Sequence, residues 1–266
     1  MGSLSGKRVV NTRAIHQAGE LDDLLRQRGA SPLAYPCVAI VPPADPTPLE
    51  AALRALAAGG FDWLVLTSAN TIDALAGRGL DAGRCGGAAV AAIGPATAAA
   101  ARRLGLEVRV VPERHDGMGL GEAVPVLPGQ RVLLPAADIA RSDLAALLSE
   151  RGATVTTVAA YRTVVGQGGV DLPRLLAGGG VDAVTLASSS AVDGLVTRLT
   201  AEGGTLALLD TVPMVCIGAR TRETALDRGF ETAIAAARST LDGLMEALER
   251  ALAPIEEEGA AWSRAS

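Results

Sequence analysis

Short apolar runs alternate along the chain with longer segments whose leucines and alanines recur every three or four positions. Arg8-Val9-Val10-Asn11 reads as a strand, and the segment after it places Leu21, Leu24 and Leu25 on one helical face before Arg28-Gly29-Ala30 stops it and a second strand follows. The stretch from Arg131-Val132-Leu133-Leu134 through Leu144, Leu147 and Leu148 to Arg151-Gly152-Ala153 aligns with this one without a gap. The chain therefore contains an internal repeat. Asp62-Trp63-Leu64-Val65-Leu66-Thr67-Ser68 matches Asp182-Ala183-Val184-Thr185-Leu186-Ala187-Ser188, and Asp73 matches Asp193.

The sharpest echo is Ala92-Ile93-Gly94-Pro95-Ala96-Thr97, which recurs as Cys216-Ile217-Gly218-Ala219-Arg220-Thr221. In both, a short apolar run ends in glycine and an alanine-rich helical pattern begins. Such a strand-to-helix turn presents unpaired N–H groups and the positive end of a helix dipole, which suits an anionic ligand. Each half reads as β-α-β followed by β-α-β-α, and alternating strands and helices imply parallel sheets flanked by helices, an α/β class.

The most turn-rich stretches, Pro42 to Pro48 and Gly166 to Gly169, lie inside the repeats. A chain that crosses between domains there gives one discontinuous domain from residues 1–37 plus 167–254 and a second from 43–161. Residues 38–42 and 162–166 are then the crossing linkers, and 255–266 a tail expected to fray. Gly2 to Lys7 reads as a flexible start.

Composition removes several functions. The formal net charge is −5, and Phe, Tyr and Trp make up 2% of residues, which disfavours both the electrostatic and the stacking modes of nucleic-acid binding. No apolar run approaches the roughly 18 residues of a membrane span, and no signal-peptide core is evident, so a cytoplasmic location is expected. Cys37, Cys85 and Cys216 lack metal-ligand spacing, and His16 and His115 are the only histidines. Cys216 reads as a small buried hydrophobe, and neither histidine falls in a repeated turn, which argues against a serine nucleophile.

The order and spacing of Thr12-Arg13, Asp62 to Asn70, Ile93-Gly94-x-x-Thr97, Ala160-Tyr161-Arg162-Thr163, Ser188-Ser189-Ser190 and Ile217-Gly218-x-x-Thr221 resemble the uroporphyrinogen-III synthase family over nearly the whole chain. The resemblance implies two flavodoxin-like parallel-sheet domains that exchange front segments, joined by a two-stranded crossing linker, with the active site in the cleft between them. It implies conversion of hydroxymethylbilane to uroporphyrinogen III, with loss of water and inversion of ring D, without metal or cofactor. The chain departs from the family at Ala14, where proline often follows the arginine, and at Arg220, in a turn usually built of small residues.

On that resemblance Tyr161, on the crossing strand, is the candidate proton donor to the departing hydroxyl; the alternative is a tyrosine packed at a domain joint. Arg13, Thr67, Ser68, Gly94, Thr97, Ser188, Ser189, Ser190, Gly218 and Thr221 are candidates for the substrate's carboxylates. Thr97 and Thr221 read equally as ordinary helix N-caps, and Asp62 and Asp182, ahead of their strands, read as structural. A monomer is expected, since the cleft must open and close. A two-domain module that binds a small polyanion without chemistry remains the alternative, with a flavodoxin-like electron carrier behind it.

Overall fold

The computed structural model describes residues 2–138 and 143–253. The first repeat contains β1 (Arg8–Asn11), α1 (Ile15–Gln27), β2 (Ser31–Ala34), β3 (Val38–Val41), α2 (Thr47–Ala57) and β4 (Trp63–Leu66). It continues with α3 (Ala69–Ala76), β5 (Ala89–Ala92), α4 (Pro95–Arg103), β6 (Val108–Val110) and α5 (Gly117–Ala123). The second repeat contains β7 (Arg131–Ala137), α6 (Asp143–Glu150), β8 (Thr154–Val165), α7 (Leu172–Ala177) and β9 (Ala183–Leu186). It ends with α8 (Ser189–Ala201), β10 (Met214–Cys216), α9 (Ala219–Asp227), β11 (Ala233–Ala235) and α10 (Leu241–Ala251).

Two units result. One is built from the chain up to Ala39 and again from Val164 onward, and the other is Ile40–Thr163. The first holds a five-stranded sheet of order β11-β10-β9-β1-β2, and β3-β8-β7-β4-β5-β6 is the order of a six-stranded sheet. The pairs within β11-β10-β9-β1-β2 and within β8-β7-β4-β5-β6 are parallel. The front strand of each repeat thus pairs with a later strand of the other: β1 with β9, and β7 with β4.

A matched set of contacts fixes this exchange. Asp182 accepts the Arg8 backbone N–H at 2.8 Å, and Asp62 accepts that of Arg131 at 2.7 Å. The neighbouring guanidinium groups donate to Gly179 and Gly59 carbonyls, each at 3.0 Å. Both aspartates therefore align the starts of paired strands, as their placement ahead of apolar runs predicts.

The core follows from strand alternation. In the first unit Val10, Val184, Met214 and Cys216 pack with Leu195, Leu199 and Ala225, while Val9, Ala183 and Val215 face Leu21, Leu25 and Leu248. In the second, Leu64, Leu66 and Leu133 face Leu49, Leu56 and Ile72, and Val65, Val132 and Leu134 face Leu120, Leu144 and Leu148. Every residue of β4, β5 and β9 is buried, as expected where helices cover both faces.

The observed layout differs from the sequence pattern in three places. Helices α2, α5, α7 and α10 and strands β6 and β11 extend the expected β-α-β, β-α-β-α plan. The stretch β2 to β3 aligns with the single 12-residue strand β8 but is interrupted at Tyr35-Pro36-Cys37. Residues 2–7 are anchored rather than free: the Leu4 side chain is fully buried, its N–H donates to Arg28 at 3.0 Å, and Lys7 pairs with Asp182 at 3.3 Å. The expected frayed tail, 255–266, lies outside the described residues. No described helix is long and apolar enough to cross a membrane.

The interruption at Pro36 is held by Arg198 of α8. Its guanidinium lies 3.7 Å from the Tyr35 ring centroid and donates to Glu202 at 2.7 Å, to the Pro36 carbonyl at 2.8 Å and to the Gly168 carbonyl at 2.5 Å. Tyr35 donates its hydroxyl to Glu202 at 2.9 Å. The chain comes so close to α8 that a Cβ on Gly194 would stand 2.0 Å from the Cys37 carbonyl oxygen. Gly194→Ala would gain about 0.5–1 kcal/mol in helix propensity but must displace backbone, an overpacking cost of about 1–3 kcal/mol. The variant is expected to melt a few degrees lower than the parent in calorimetry; a higher midpoint would contradict this packing.

Candidate functional site

The carboxyl ends of parallel strands, where ligands bind in such sheets, gather most of the candidates within each unit. In the six-stranded sheet β4 runs into Thr67 and Ser68, β5 into Gly94, and β7 reaches Ala137 opposite Tyr161 on β8. Ser68 caps α3, accepting the Thr71 N–H at 3.1 Å, and its Oγ lies 3.0 Å from Thr71 Oγ1 and 3.2 Å from the Tyr161 hydroxyl. Tyr161 is buried, with 8% of its surface exposed. Among the described residues its hydroxyl meets a serine side chain, not backbone.

In the five-stranded sheet β1 leads to Arg13, β9 to Ser188 and β10 to Gly218. Asn11 shapes the first turn: its amide nitrogen donates to Ala18 and Asp22, and its Oδ1 accepts the Arg13 N–H at 3.1 Å. Arg13 is half-buried, and its Nη1 is shielded from solvent without an acceptor among the described residues. Burial pulls this guanidinium below its usual range, and the charge of Glu20 acts the other way. A cationic donor held out of water without a partner is costly unless an anion meets it.

Ser188 caps α8 through the Ala191 N–H at 3.1 Å, as Ser68 caps α3, while Ser189 accepts a hydrogen bond from Thr224 at 2.8 Å. Ser190 sits beside them in the first turn.

The two glycine turns behave differently from the serine turns. Gly94 and Gly218 are themselves the N-caps of α4 and α9, in extended backbone, and neither helix start has a side-chain cap. The first intrahelical bonds are Ala98 to Gly94 and Arg222 to Gly218. The N–H groups of Ala96 and Thr97, and of Ala219, Arg220 and Thr221, therefore have no acceptor among the described residues. Pro95 has no N–H to leave over. This corrects the N-cap reading of Thr97 and Thr221: each lies at the third helical position with 5% of its surface exposed. Their side chains face inward, so the turn's offer to a ligand is backbone rather than hydroxyl. Arg220 is exposed.

What crowds these glycines is the approach of a neighbouring side chain and not φ. A Cβ on Gly94 would lie 3.3 Å from His115 Cγ, and one on Gly218 2.6 Å from Ser239 Oγ. His115 and Ser239 align in the repeat, each in the loop after the following strand. His115 thus does lie beside a repeated turn, exposed at the mouth of the Gly94 turn. Its position relative to Asp116-Gly117, matched by Ser239 before Thr240-Leu241, was the available sequence signal.

Cys216 leads into the second turn but is fully buried, and burial pushes its thiol up to about 12. Burial raises Cys37 and Cys85 as well.

Comparison with known proteins places this geometry in context. The sequence model of the family described as uroporphyrinogen-III synthase HemD matches residues 19–246. A porphyrin biosynthesis protein HemD from Ruminiclostridium josui is 30% identical over 92% of this chain, which spans 48% of that protein. A uroporphyrinogen-III synthase from Synechococcus elongatus is 30% identical over 93% of this chain and 96% of its own length. Among solved structures, a mutant uroporphyrinogen III synthase from Thermus thermophilus superposes with a TM-score of 0.62 at 24% identity, covering 93% of this chain and 99% of that one. A uroporphyrinogen-III synthetase from Helicobacter pylori gives 0.57 at 15% identity, over 90% and 96%. Both share the two-domain α/β fold.

Since the thiolate is the reactive form of cysteine, the three buried thiols are expected to resist iodoacetamide at about pH 8 in the folded protein and to react fully in denaturant. Rapid labelling of Cys216 without unfolding, read by mass spectrometry, would contradict its burial.

Proposed function

The chain belongs to the uroporphyrinogen-III synthase family, and we propose that it converts hydroxymethylbilane to uroporphyrinogen III, closing the macrocycle with loss of water and inversion of ring D. The observation that carries the site assignment is the matched pair of helix starts at Gly94 and Gly218, whose N–H groups lack acceptors among the described residues. A linear tetrapyrrole bearing carboxylates on every ring needs such donors, and a chain of net charge −5 must supply them locally.

In this reading each turn binds carboxylate, contributing about 1.5–3 kcal/mol per charge-assisted bond before desolvation. Arg13 binds a further carboxylate, which would satisfy its buried Nη1. Thr67, Ser68 and Ser188 to Ser190 border the same edges, and exposed His115 adds a donor at the Gly94 turn. Holding the flexible bilane in one conformation brings the substituted carbon of the terminal ring to the electrophilic methylene, an effect of proximity and orientation. Tyr161 gives the proton that lets the hydroxyl leave as water. The enzyme acts as a monomer in the cytoplasm.

Incubation with hydroxymethylbilane, followed by separation of the isomers, tests the reaction. The expected product is the III isomer; only the I isomer, at the spontaneous rate, would leave a binding module as the remaining reading. Tyr161→Phe is expected to lower kcat by about 10² or more with little change in KM. Arg13→Met keeps the apolar stem, so its melting point is expected to hold or rise while KM increases about tenfold or more. An Arg13→Met enzyme with unchanged KM would remove Arg13 from the site.

A further inference from the structure

The hydroxyls of Thr71, Ser68 and Tyr161 form a hydrogen-bonded chain with oxygen separations of 3.0 and 3.2 Å. The direction of its protons follows from counting donors and acceptors. A serine hydroxyl has one proton and two lone pairs. One lone pair of Ser68 Oγ is taken by the Thr71 backbone N–H at 3.1 Å. Thr71 is fully buried, and among the described residues its hydroxyl meets no partner but Ser68.

If Thr71 did not donate to Ser68, its proton would be desolvated and unpaired. Thr71 therefore fills the second lone pair of Ser68. Ser68 must then send its own proton to the Tyr161 oxygen. The Tyr161 proton is left without an acceptor among the described residues, the one hydroxyl proton of the chain free to leave.

We infer that Thr71 and Ser68 are positioning residues that hold Tyr161 in the donor state. The inference rests on the reading of Tyr161 as the proton donor. In the step, the Tyr161 O–H bond breaks and its proton bonds to the departing hydroxyl. The carbon–oxygen bond breaks with its electron pair on oxygen, releasing water. The Tyr161 oxygen keeps the electron pair of its lost proton and is stabilised by the Ser68 O–H already aimed at it. After the substituted carbon has bonded the methylene, its bond to the neighbouring ring's methylene breaks and that methylene rejoins the ring at its unsubstituted carbon; the hydrogen this carbon sheds as the pyrrole regains aromaticity returns a proton to the Tyr161 oxygen.

The repeat shows that the fold does not require this chain. Ser188 makes the same cap, but the residue aligned with Thr71 is Ala191 and the one aligned with Tyr161 is Val38. Capping explains Ser68 alone; it does not explain a buried threonine hydroxyl behind it.

Thr71→Val tests the inference, because it removes the hydroxyl while the backbone N–H still serves the Ser68 cap. Ser68 could then accept from Tyr161 and draw its proton away from substrate. The expected result is kcat lower by about tenfold at unchanged KM, recovery in Thr71→Ser, and no further loss when Thr71→Val is added to Tyr161→Phe. Should Thr71→Val not fold, Ser68→Gly, glycine being a competent cap, should show the same kcat loss and the same lack of additivity. Wild-type turnover in the folded variant, or an independent loss on top of Tyr161→Phe, would overturn the chain. Full turnover in Tyr161→Phe itself would instead overturn the assignment of Tyr161, a separate outcome.

Discussion

The pairing of β1 with β9 and of β7 with β4 is the constraint on which the rest of the molecule depends. Neither repeat can complete a sheet with its own strands, because its front strand belongs to the sheet of its counterpart. Asp62 and Asp182 fix the register of that exchange by holding the first N–H of the neighbouring strand. Register in a sheet buried on both faces is strongly specified, since a slip by one residue would turn Val9 and Val10, or Val132 and Leu133, to the wrong core layer. The carboxyl ends of each sheet are levelled by the same contacts, and the serine and glycine turns inherit their positions from them.

Those turns divide by chemistry. Ser68 and Ser188 each accept an N–H of their own helix, whereas Gly94 and Gly218 leave helix starts whose N–H groups are uncommitted among the described residues. Backbone donors at a helix start are preorganised and carry no side-chain entropy, which suits positioning of a flexible polyanion. Arg13 adds a full positive charge to the set, with part of it withheld from water. Polar groups left unsatisfied in the protein alone are what a carboxylate would complete.

Much of this was legible in the sequence because the repeat acts as an internal comparison. Aligned copies expose the glycine turns, the aspartates before the strands and the exchange, all of which depend on local pattern and order. Helix α2 was hidden because its first turn contains Pro48 at the end of a proline-rich run, and α7 likewise begins Leu172-Pro173; proline in a first turn is compatible with a helix but reads as a loop. The burial of Leu4 is not legible locally, because it depends on residues far along the chain. The roles of Thr71, His115 and Ser239 depend on contacts between loops, which spacing alone does not encode. The cap reading of Thr97 and Thr221 fails because the glycine ahead of each helix takes that place without a side chain.

The central claim is that the helix starts at Gly94 and Gly218 hold carboxylates. Amide NMR on the labelled protein, titrated with uroporphyrinogen III under reducing conditions, tests it most directly. The account predicts saturable shifts of the Ala96, Thr97, Arg220 and Thr221 amides. Saturable binding that leaves these four amides unmoved would contradict it.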